Sequence, residues 1–328
     1  MAKRALGPAT LAMVQEIRAA CDPARPWLVA CSGGRDSLAL AATASLARPD
    51  GVSALVIDHQ LQPGSTQAAE RVREQLAPRG VPVDIVAVTV GTQGGPEAAA
   101  RDARYRVLID RARSVGAQVL LGHTRDDQAE TVLLGLARGS GARALAGMAT
   151  RQVRDDSGTT LVRPLLGLSR ETSAEVCREL GLHWWDDPHN DDARFARSRV
   201  RRQVMPVLER ELGPGAAEAL ARTARLLRED ADHLDALAAQ ALHRLQRAAR
   251  DQTVTAGLPT DGLAVLPAAI RSRVLRDWLR SHGAADLAEV HIAAVDRLVT
   301  GWRGQGPVAV PGLRVERRDS HLHTLPPG

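Results

Sequence analysis

The stretch Trp27-Leu28-Val29-Ala30-Cys31-Ser32-Gly33-Gly34-Arg35-Asp36-Ser37 decides the fold of this chain. Five mostly apolar residues, too few for a helix, run into a Ser-Gly-Gly turn, and an alanine- and leucine-rich segment follows to about Leu46. Length and periodicity predict a strand, a tight loop and a helix. Because glycine lets backbone amides approach a ligand and a helix N-terminus presents unpaired amides, this turn is suited to binding phosphate.

The side chains of the turn suit phosphate accompanied by a divalent cation. Ser32 and Ser37 supply hydroxyl donors, and the carboxylate of Asp36 suits Mg²⁺ better than a bare phosphate. The alternative is a purely structural turn between strand and helix. The spacing lacks both the Gly-Lys-Ser/Thr end of a Walker A loop and the dinucleotide-binding G-x-G-x-x-G. Because Lys3 is the only lysine of the chain, mechanisms that need an active-site lysine elsewhere in the protein are excluded.

Composition narrows the class of protein. A length of 328 residues favours two domains, and the net charge of +5, carried almost entirely by arginine, favours a polyanionic partner unless it reflects genomic bias. Cys21, Cys31 and Cys177 are far apart and form no C-x-x-C, which argues against zinc, iron–sulfur and disulfide sites. The sequence shows neither a membrane-length apolar run nor a signal peptide, so we expect a cytoplasmic protein without membrane contact.

The first 180 residues alternate between strand and helix patterns. Strands are predicted at 52–58, 81–90, 119–121 and 161–165, and helices at 9–20, up to about 76, 96–115, from 125 and 169–180. This alternation predicts a parallel sheet covered on both faces, with ligands bound beyond the carboxyl ends of the strands.

The remainder of the chain has a different pattern. Leucine recurs every seventh residue from Leu220 to Leu234, with alanines between, which predicts one long helix packed on its own protein rather than a coiled-coil dimer. Residues 258–328 resemble a small α+β module, with helices near 267–282 and 286–300 and short strands at 308–310 and 313–315.

Two further polar clusters follow predicted strands. Gly122, His123, Asp127 and Glu130 follow the fourth strand, so we expect them in the same crevice as Asp36. Asp36 and Asp127 are then candidates for a Mg²⁺–pyrophosphate clamp, although acidic residues at a helix start often act only as caps.

The other cluster lies at the start of the helix predicted from Pro96. Arg101 and Arg104 are three residues apart and suited to phosphate, but Arg101 also has the spacing to pair with Glu97, and both interpretations stay open.

The segment 190–202 is the strongest nucleic-acid signal. Five arginines lie within nine residues around Phe195, at positions Arg194, Arg197, Arg199, Arg201 and Arg202. A run of this density indicates an RNA-phosphate surface, with a solvated basic face as the alternative.

The motifs together resemble a known family. Ser32–Ser37 matches the Ser-Gly-Gly-x-Asp-Ser signature of the PP-loop ATP pyrophosphatases. The full set, in order, resembles the shorter form of the tRNA(Ile)-lysidine synthetase family and comprises Ser32–Ser37, Ile57–Leu61, Glu97–Tyr105, Gly122–Thr131, Arg163–Leu166 and Trp185–Arg201. The resemblance implies an α/β fold. A Rossmann-like, doubly wound parallel sheet over 1–212 is followed by a connector helix and a small tRNA-binding α+β domain over 213–328.

The resemblance also implies the reaction. ATP, with Mg²⁺, adenylylates the wobble cytidine of the isoleucine tRNA with a CAU anticodon, and free L-lysine then replaces the C2 oxygen, releasing AMP after pyrophosphate. A homodimer is left open. The competing interpretations are a PP-loop tRNA thiolase, which would need cysteine pairs, a small-molecule amide ligase, which would not need the arginine run, and a non-catalytic nucleotide-binding module.

The resemblance assigns roles to individual residues. Catalysis is expected from Asp36, Asp127 and Arg104, and metal binding from Asp36 and Asp127. Asp127, Glu130 and Arg199 are expected at the lysine or second-substrate site. tRNA is expected at Arg194, Arg197, Arg201 and Arg202. ATP is expected at Ser32, Gly33, Gly34, Arg35, Asp36, Ser37, Asp58, His59, Arg104, Gly122 and His123.

Overall fold

The computed structural model describes residues 5–58, 64–88, 96–139, 141–154, 157–186, 194–251 and 257–328, without the side chains of 96–101 and 249–251. It divides into two compact units, Met1–Arg228 and Glu229–Gly328. The functional division at 212/213 stays a prediction. That position lies just before the helix that crosses from one unit into the other.

The first unit alternates strands and helices, as the sequence predicts. Its elements are α1 (Pro8–Ala20), β1 (Trp27–Ala30), α2 (Arg35–Ala47), β2 (Val52–Asp58), α3 (Ser65–Leu76), β3 (Val83–Ala87), α4 (Pro96–Ser114), β4 (Gln118–Leu121), α5 (Arg125–Ala137), α6 (Ala142–Leu145), β5 (Arg151–Val153), β6 (Thr160–Val162), α7 (Arg170–Leu180), α8 (Ala196–Arg199) and α9 (Met205–Glu211).

The strands form one sheet in the order β3-β2-β1-β4-β6-β5. All neighbours pair in parallel except β5, which pairs antiparallel with β6 at the edge. The predicted parallel sheet is therefore confirmed, and β5 and β6 are the hairpin of its last strand. The short helix α6 was not predicted.

The central strands β1 and β4 are buried on both faces, which explains why they are mostly apolar. Val29 of β1 lies in a core with α1, α2, α3 and α7, whereas the adjacent Leu28 lies in a second core with Leu108 and Ala112 of α4. Successive residues of a strand point to opposite faces, so a strand covered on both sides alternates between two cores.

The topology brings four chain segments to one edge of the sheet. β1, β2, β4 and β6 run in the same direction, so the loop 31–34, Asp58, the segment 122–124 and the loop 163–169 all leave the same edge. The first residue of α5 is also hydrogen-bonded to the loop 163–169, because the Arg125 amide donates to the Leu168 carbonyl at 2.8 Å. The start of α5 is thereby fixed next to the start of α7.

The second unit is a small α+β module. The long helix α10 (Ala216–Asp251) leads into it, and Ala238 of the predicted seam is fully buried there. Its remaining elements are β7 (Leu258–Pro259), α11 (Thr260–Ala264), α12 (Ala268–Ser281), α13 (Glu289–Thr300), β8 (Val308–Val310), β9 (Leu313–Arg318) and β10 (His321–Leu325). The strands form an antiparallel sheet in the order β7-β10-β9-β8, of which β7 and β10 were not predicted. Within the described ranges, no helix combines the length and apolarity needed to span a membrane.

Candidate active site

The loop after β1 is held in shape by the hydroxyl of Ser37. This hydroxyl accepts a hydrogen bond from the Ser32 amide at 3.1 Å and donates to the Gly34 carbonyl at 3.0 Å. Gly33 has φ +80°, a left-handed conformation that favours glycine. Gly34 precedes α2 without a side-chain cap, so the first-turn amides of α2 are left for a ligand.

Gly122 lets the end of β4 pack directly against this loop. A Cβ placed on Gly122 would lie 3.1 Å from the Asp36 carbonyl carbon and 3.1 Å from the Ser37 amide nitrogen. Such a contact is too close to relieve by side-chain movement, because both atoms belong to the backbone of α2. The glycine therefore keeps His123 close to the loop after β1 and the start of α2, residues 31–37, here called the phosphate loop.

His123 is neutral at physiological pH. Burial, with Arg163, Arg197 and Arg104 nearby, lowers its pKa to about 4. Its Nδ1 is buried, and no hydrogen bond from the described residues reaches it. A buried ring nitrogen in this condition is available to a ligand.

Three carboxylates and three arginines form the centre of the site, here called the carboxylate–arginine cluster: Asp36, Asp127, Glu130, Arg170, Arg197 and Arg201. The guanidinium of Arg170 reaches all three acids. Its Nη2 lies 3.2 Å from both Asp127 Oδ1 and Glu130 Oε1, and its Nε lies 3.8 Å from Asp36 Oδ2. Arg170 thereby links the phosphate loop to α5.

Arg197 and Arg201 contact two of these acids, Asp127 and Glu130, from a later segment of the chain. Arg197 Nε lies 2.8 Å from Glu130 Oε2, and Arg201 Nε lies 2.7 Å from Glu130 Oε1. Arg201 Nη2 also lies 3.3 Å from Asp127 Oδ1. Glu130 is 1 % exposed, and its burial is tolerated because opposite charges surround it.

Local structure explains how these side chains converge. Asp127 is the third residue of α5 and forms a capping box with Thr124, whose amide donates to Asp127 Oδ2 at 2.8 Å. Arg170 is the first residue of α7, and its amide donates to Asp126 Oδ2 at 2.8 Å. Arg197 and Arg201 are four residues apart across α8 and the π-helical turn Val200–Val204, so they lie on one side of the helix.

Burial and neighbouring charges separate the pKa values of the two aspartates. Burial and the charge of Asp127 raise the pKa of Asp36 to about 6, against the opposing effects of Arg170, Ser173 and Arg35. Burial alone would also raise the pKa of Asp127, but Arg170, Arg197 and the Thr124 amide outweigh it and hold that pKa below its ordinary value. Asp127 is therefore ionised at neutral pH, whereas Asp36, with a pKa of about 6, changes its protonation state just below neutral pH.

Family models match both parts of the chain. Residues 9–208 match the family model described as a PP-loop domain, and residues 258–323 match the TilS substrate binding domain. The tRNA(Ile)-lysidine synthase of Salinispora tropica is 50% identical over 337 residues, which cover 99% of this chain and 98% of that protein. The chain belongs to the tRNA(Ile)-lysidine synthase family.

Other comparisons are consistent with this membership. The tRNA(Ile)-lysidine synthase of Thermobifida fusca is 54% identical over 298 residues, covering 89% of this chain and 88% of that protein. Among solved structures, the U34-tRNA thiolase NcsA from Methanococcus maripaludis superposes with a TM-score of 0.57 at 17% identity, covering 67% of this chain and 80% of that one. At that identity the likeness concerns the fold alone, and it supports the predicted PP-loop sheet.

In this member of the tRNA(Ile)-lysidine synthase family, one side chain, Asp36, is clearly suited to bind magnesium. Asp36 Oδ1 is buried and, within the described residues, receives no hydrogen bond. Asp127 differs, because Oδ2 accepts two hydrogen bonds from Thr124 and Oδ1 faces three arginines. The described part of the chain holds no group of three metal-binding side chains. A cation at Asp36 would therefore take most of its ligands from phosphate oxygens and water, as Mg²⁺ commonly does.

The structure places the other predicted site residues as follows. Asp58 ends β2, is 5 % exposed, and accepts a hydrogen bond from Thr66 Oγ1 at 2.7 Å. Arg104 lies on α4 with its guanidinium carbon 5.7 Å from the ring centre of Tyr105, and its charge acts on His123. His59 and the side chains of Glu97 and Arg101 lie outside the described residues, so the two interpretations of that pair stay predictions.

The five arginines of the basic run divide between two environments. Arg197 and Arg201 are half-buried and bound to the carboxylate–arginine cluster, whereas Arg194, Arg199 and Arg202 are exposed. Arg199 donates to the Arg194 carbonyl at 2.8 Å. The tRNA role of Arg197 and Arg201 and the second-substrate role of Arg199 stay predictions, and the observed contacts point Arg197 and Arg201 toward the acids rather than outward.

Sequence reasoning missed Arg170, the residue whose guanidinium lies near both Asp36 of α2 and the two acids of α5. The sequence predicts only a helix over 169–180 here, and the structure shows that helix as α7, with the Ser169 hydroxyl accepting a hydrogen bond from the Thr172 amide at 3.1 Å. The available signal was topological. The loop before α7 follows a strand whose carboxyl end lies at the same edge as the phosphate loop, so the first turn of α7 had to lie there too.

Proposed function

We propose that this chain ligates L-lysine to C2 of the wobble cytidine of the isoleucine tRNA with a CAU anticodon, using ATP and releasing AMP and pyrophosphate. The observation that carries the proposal is the placement of Arg170, whose guanidinium lies within 3.8 Å of Asp36 in the phosphate loop and within 3.2 Å of Asp127 and Glu130 on α5. The site therefore combines a nucleotide-binding element and a charged pocket at one edge of the sheet, in a member of the tRNA(Ile)-lysidine synthase family.

The first step activates the cytidine. The C2 oxygen attacks the α-phosphorus of ATP, the bond to the β-phosphate breaks, and pyrophosphate leaves. The amides of the first turn of α2 and the hydroxyl of Ser32 bind the departing phosphates, and Asp36 would hold Mg²⁺. When bound, the metal supplies positive charge against the phosphate oxygens. Arg104 and the neutral His123 contribute hydrogen-bond donors at the same edge.

The second step uses the amine of the substrate. The ε-nitrogen of lysine attacks C2, a C–N bond forms, the C2–O bond breaks, and AMP leaves with the former C2 oxygen while the amine releases a proton. Lysine carries a carboxylate and two amines, and the carboxylate–arginine cluster offers partners for both kinds of group. The cluster has three negative and three positive side chains, which are already paired with each other. The charged groups of lysine would therefore replace partners in existing ion pairs, and no buried charge would be left without a partner.

The cysteines do not support the rival thiolase chemistry. Cys21, Cys31 and Cys177 are all buried. Burial raises the pKa of Cys21 and of Cys177 to about 12 and also raises the pKa of Cys31. A buried thiol of high pKa is a poor nucleophile, because the reactive form is the thiolate.

The proposal is tested by incubating the full chain with tRNA(Ile), MgATP and labelled lysine. We expect label in the RNA, with one AMP and one pyrophosphate per lysine incorporated. Asp36→Asn is expected to lose this activity while binding tRNA as the wild type does, because Asp36 lies in the phosphate loop. Release of AMP without label in the RNA, or label incorporated equally into a tRNA with a different anticodon, would contradict the assignment.

A further inference from the structure

A cavity of about 520 Å³ lies on the second face of the sheet, between α4 and the β5–β6 hairpin. Arg106 and Arg113 line it from α4, and Arg154 and Arg163 line it from the hairpin. Tyr105, the only tyrosine of the chain, also lines it. None of these five residues belongs to the carboxylate–arginine cluster.

The cavity exists because this face of the sheet is incompletely covered. Within the described residues, the core on this face takes its helical side chains from α4 alone, including Leu108 and Ala112. All three residues of β5 are exposed, whereas all three of β6 are buried. The groove therefore follows the outer flank of α4 above the edge of the sheet.

The lining carries an excess of positive charge. Four arginines face two acids, Asp102 and Asp110. Arg106 and Arg113 are exposed and, within the described ranges, make neither a hydrogen bond nor an ion pair. Arg163 is held in place from inside the protein, since it donates to the Ala149 carbonyl at 2.9 Å and to Gln152 Oε1 at 3.2 Å. Two arginines are thus fully available to a ligand and one is rigidly positioned.

One end of the groove lies next to the candidate active site. Arg163 directly follows the carboxyl end of β6, and its charge is among those that lower the pKa of His123. Arg113 lies seven residues further along α4 than Arg106, a distance of about 10 Å on a helix, toward the opposite end of the strands. The arginines therefore line the groove from Arg113 toward Arg163, which lies at the edge of the sheet where the candidate active site is found.

We propose that this groove binds the single-stranded anticodon loop of the tRNA, with backbone phosphates on Arg106 and Arg113 and a base against Tyr105. The inference rests on the proposed function, which requires an unpaired nucleotide to reach the phosphate loop. Single-stranded RNA is bound by rows of cationic side chains combined with aromatic surfaces on which bases stack. Tyr105 is half-buried and is the one aromatic residue among those that line the cavity.

The test measures binding of an isolated anticodon stem-loop RNA to the full chain. The double variant Arg106→Gln/Arg113→Gln is compared with Arg111→Gln, which changes the same helix outside the cavity lining, at an arginine paired with Asp84 at 2.5 Å. Loss of two phosphate contacts is expected to reduce the slope of log affinity against log salt by about 1.4, at about 0.7 per contact for a single strand. Tyr105→Leu is expected to weaken binding without changing this slope.

Three results would be decisive. The inference is overturned if the double variant binds the stem-loop with the affinity and salt slope of Arg111→Gln. It is also overturned if the double variant loses MgATP affinity in the absence of RNA, since the groove would then serve the nucleotide site. If the double variant shows the reduced slope but the wild-type chain forms no lysidine, the RNA groove is supported and the proposed ligase function is not.

Discussion

Asp127 uses its two carboxylate oxygens for different purposes. Oδ2 accepts hydrogen bonds from the amide and hydroxyl of Thr124, at 2.8 and 3.0 Å, and so closes the first turn of α5. Oδ1 faces Arg170, Arg197 and Arg201. The sequence leaves open whether Asp127 is a helix cap or a site residue, and the structure shows that its carboxylate makes both kinds of contact. The cap orients the carboxylate that the arginines bind.

Protonation of Asp36 should determine the pH below which nucleotide affinity falls, here called the acidic limb. Its pKa is raised to about 6, so the carboxylate becomes protonated as the pH falls through that value and can no longer hold a cation. We expect MgATP affinity of the wild type to fall below pH 6. Asp36→Asn should bind weakly and show no change over the same range. Titration calorimetry between pH 5 and pH 8 measures both, and a wild-type affinity that is flat across this range would contradict the role.

Replacing Arg170 should shift the pH below which MgATP affinity falls, whereas replacing Arg197 should not. Arg170 is among the charges that lower the pKa of Asp36, so Arg170→Gln should move the limb to higher pH. Arg197→Gln is the matched control, because Arg197 contacts Asp127 and Glu130 but, in the described part of the chain, not Asp36. The control should keep its limb near pH 6 while the KM for lysine rises. A shift of equal size in both variants would contradict the proposed link through Arg170.

At the scale of elements, the parallel sheet was predictable from the sequence, whereas strand β10 and the contact between α5 and α7 were not. β2 begins and ends where the sequence predicts, because its apolar run is bounded by clear turn residues. β10 was missed since the turn before it is Asp319-Ser320, with φ of +48° and +60°, instead of the glycine-containing pairs that mark such hairpins. Arg170 was missed because pairing between α5 and α7 depends on tertiary contacts that no local pattern contains.

The long helix α10 begins at a cap supplied from the preceding helix. The carboxylate of Glu209 accepts the amides of Gly215, Ala216 and Ala217 at 2.6, 3.2 and 2.9 Å. Glu209→Ala should lower stability by about 1 kcal/mol and speed amide exchange at 215–217, whereas Glu211→Ala, which pairs only with Arg210 among the described residues, should change neither.

The pH dependence of this cap follows from its hydrogen bonds. These backbone amides lower the pKa of Glu209, so its contribution is present above its ordinary value of 4.5 and is lost as the pH falls below it. Amide exchange at 215–217 that is equal in the wild type and Glu209→Ala at neutral pH would contradict the capping role.

The helix that follows Phe195 separates arginines by the side they occupy. Neutralising the exposed Arg194, Arg199 and Arg202 to Gln should weaken tRNA binding and reduce its salt slope, because these side chains face solvent. Neutralising the half-buried Arg197 and Arg201 should instead impair lysine incorporation at saturating tRNA, since both are bound to Glu130. Filter-binding across a salt series and single-turnover assays distinguish the two sets. The reverse pattern would contradict the division.

At the scale of the whole molecule, arginine serves as both an internal and an external cation. The chain has a net charge of +5 and one lysine, Lys3, so nearly every positive charge is a guanidinium. A guanidinium pairs with carboxylates through several fixed donors, which suits the carboxylate–arginine cluster, and it also binds phosphate. Composition alone predicted a polyanionic partner but could not show that Arg170, Arg197 and Arg201 are directed inward.

The most direct test of the account follows the α-phosphate of ATP. With α-labelled MgATP and tRNA(Ile) but no lysine, the label should appear in the RNA as an adenylylated cytidine, and adding lysine should release it as AMP at the rate at which lysidine forms. If the label never enters the RNA, or if AMP forms at the same rate without RNA, the phosphate loop and the carboxylate–arginine cluster do not perform the two-step ligation described above.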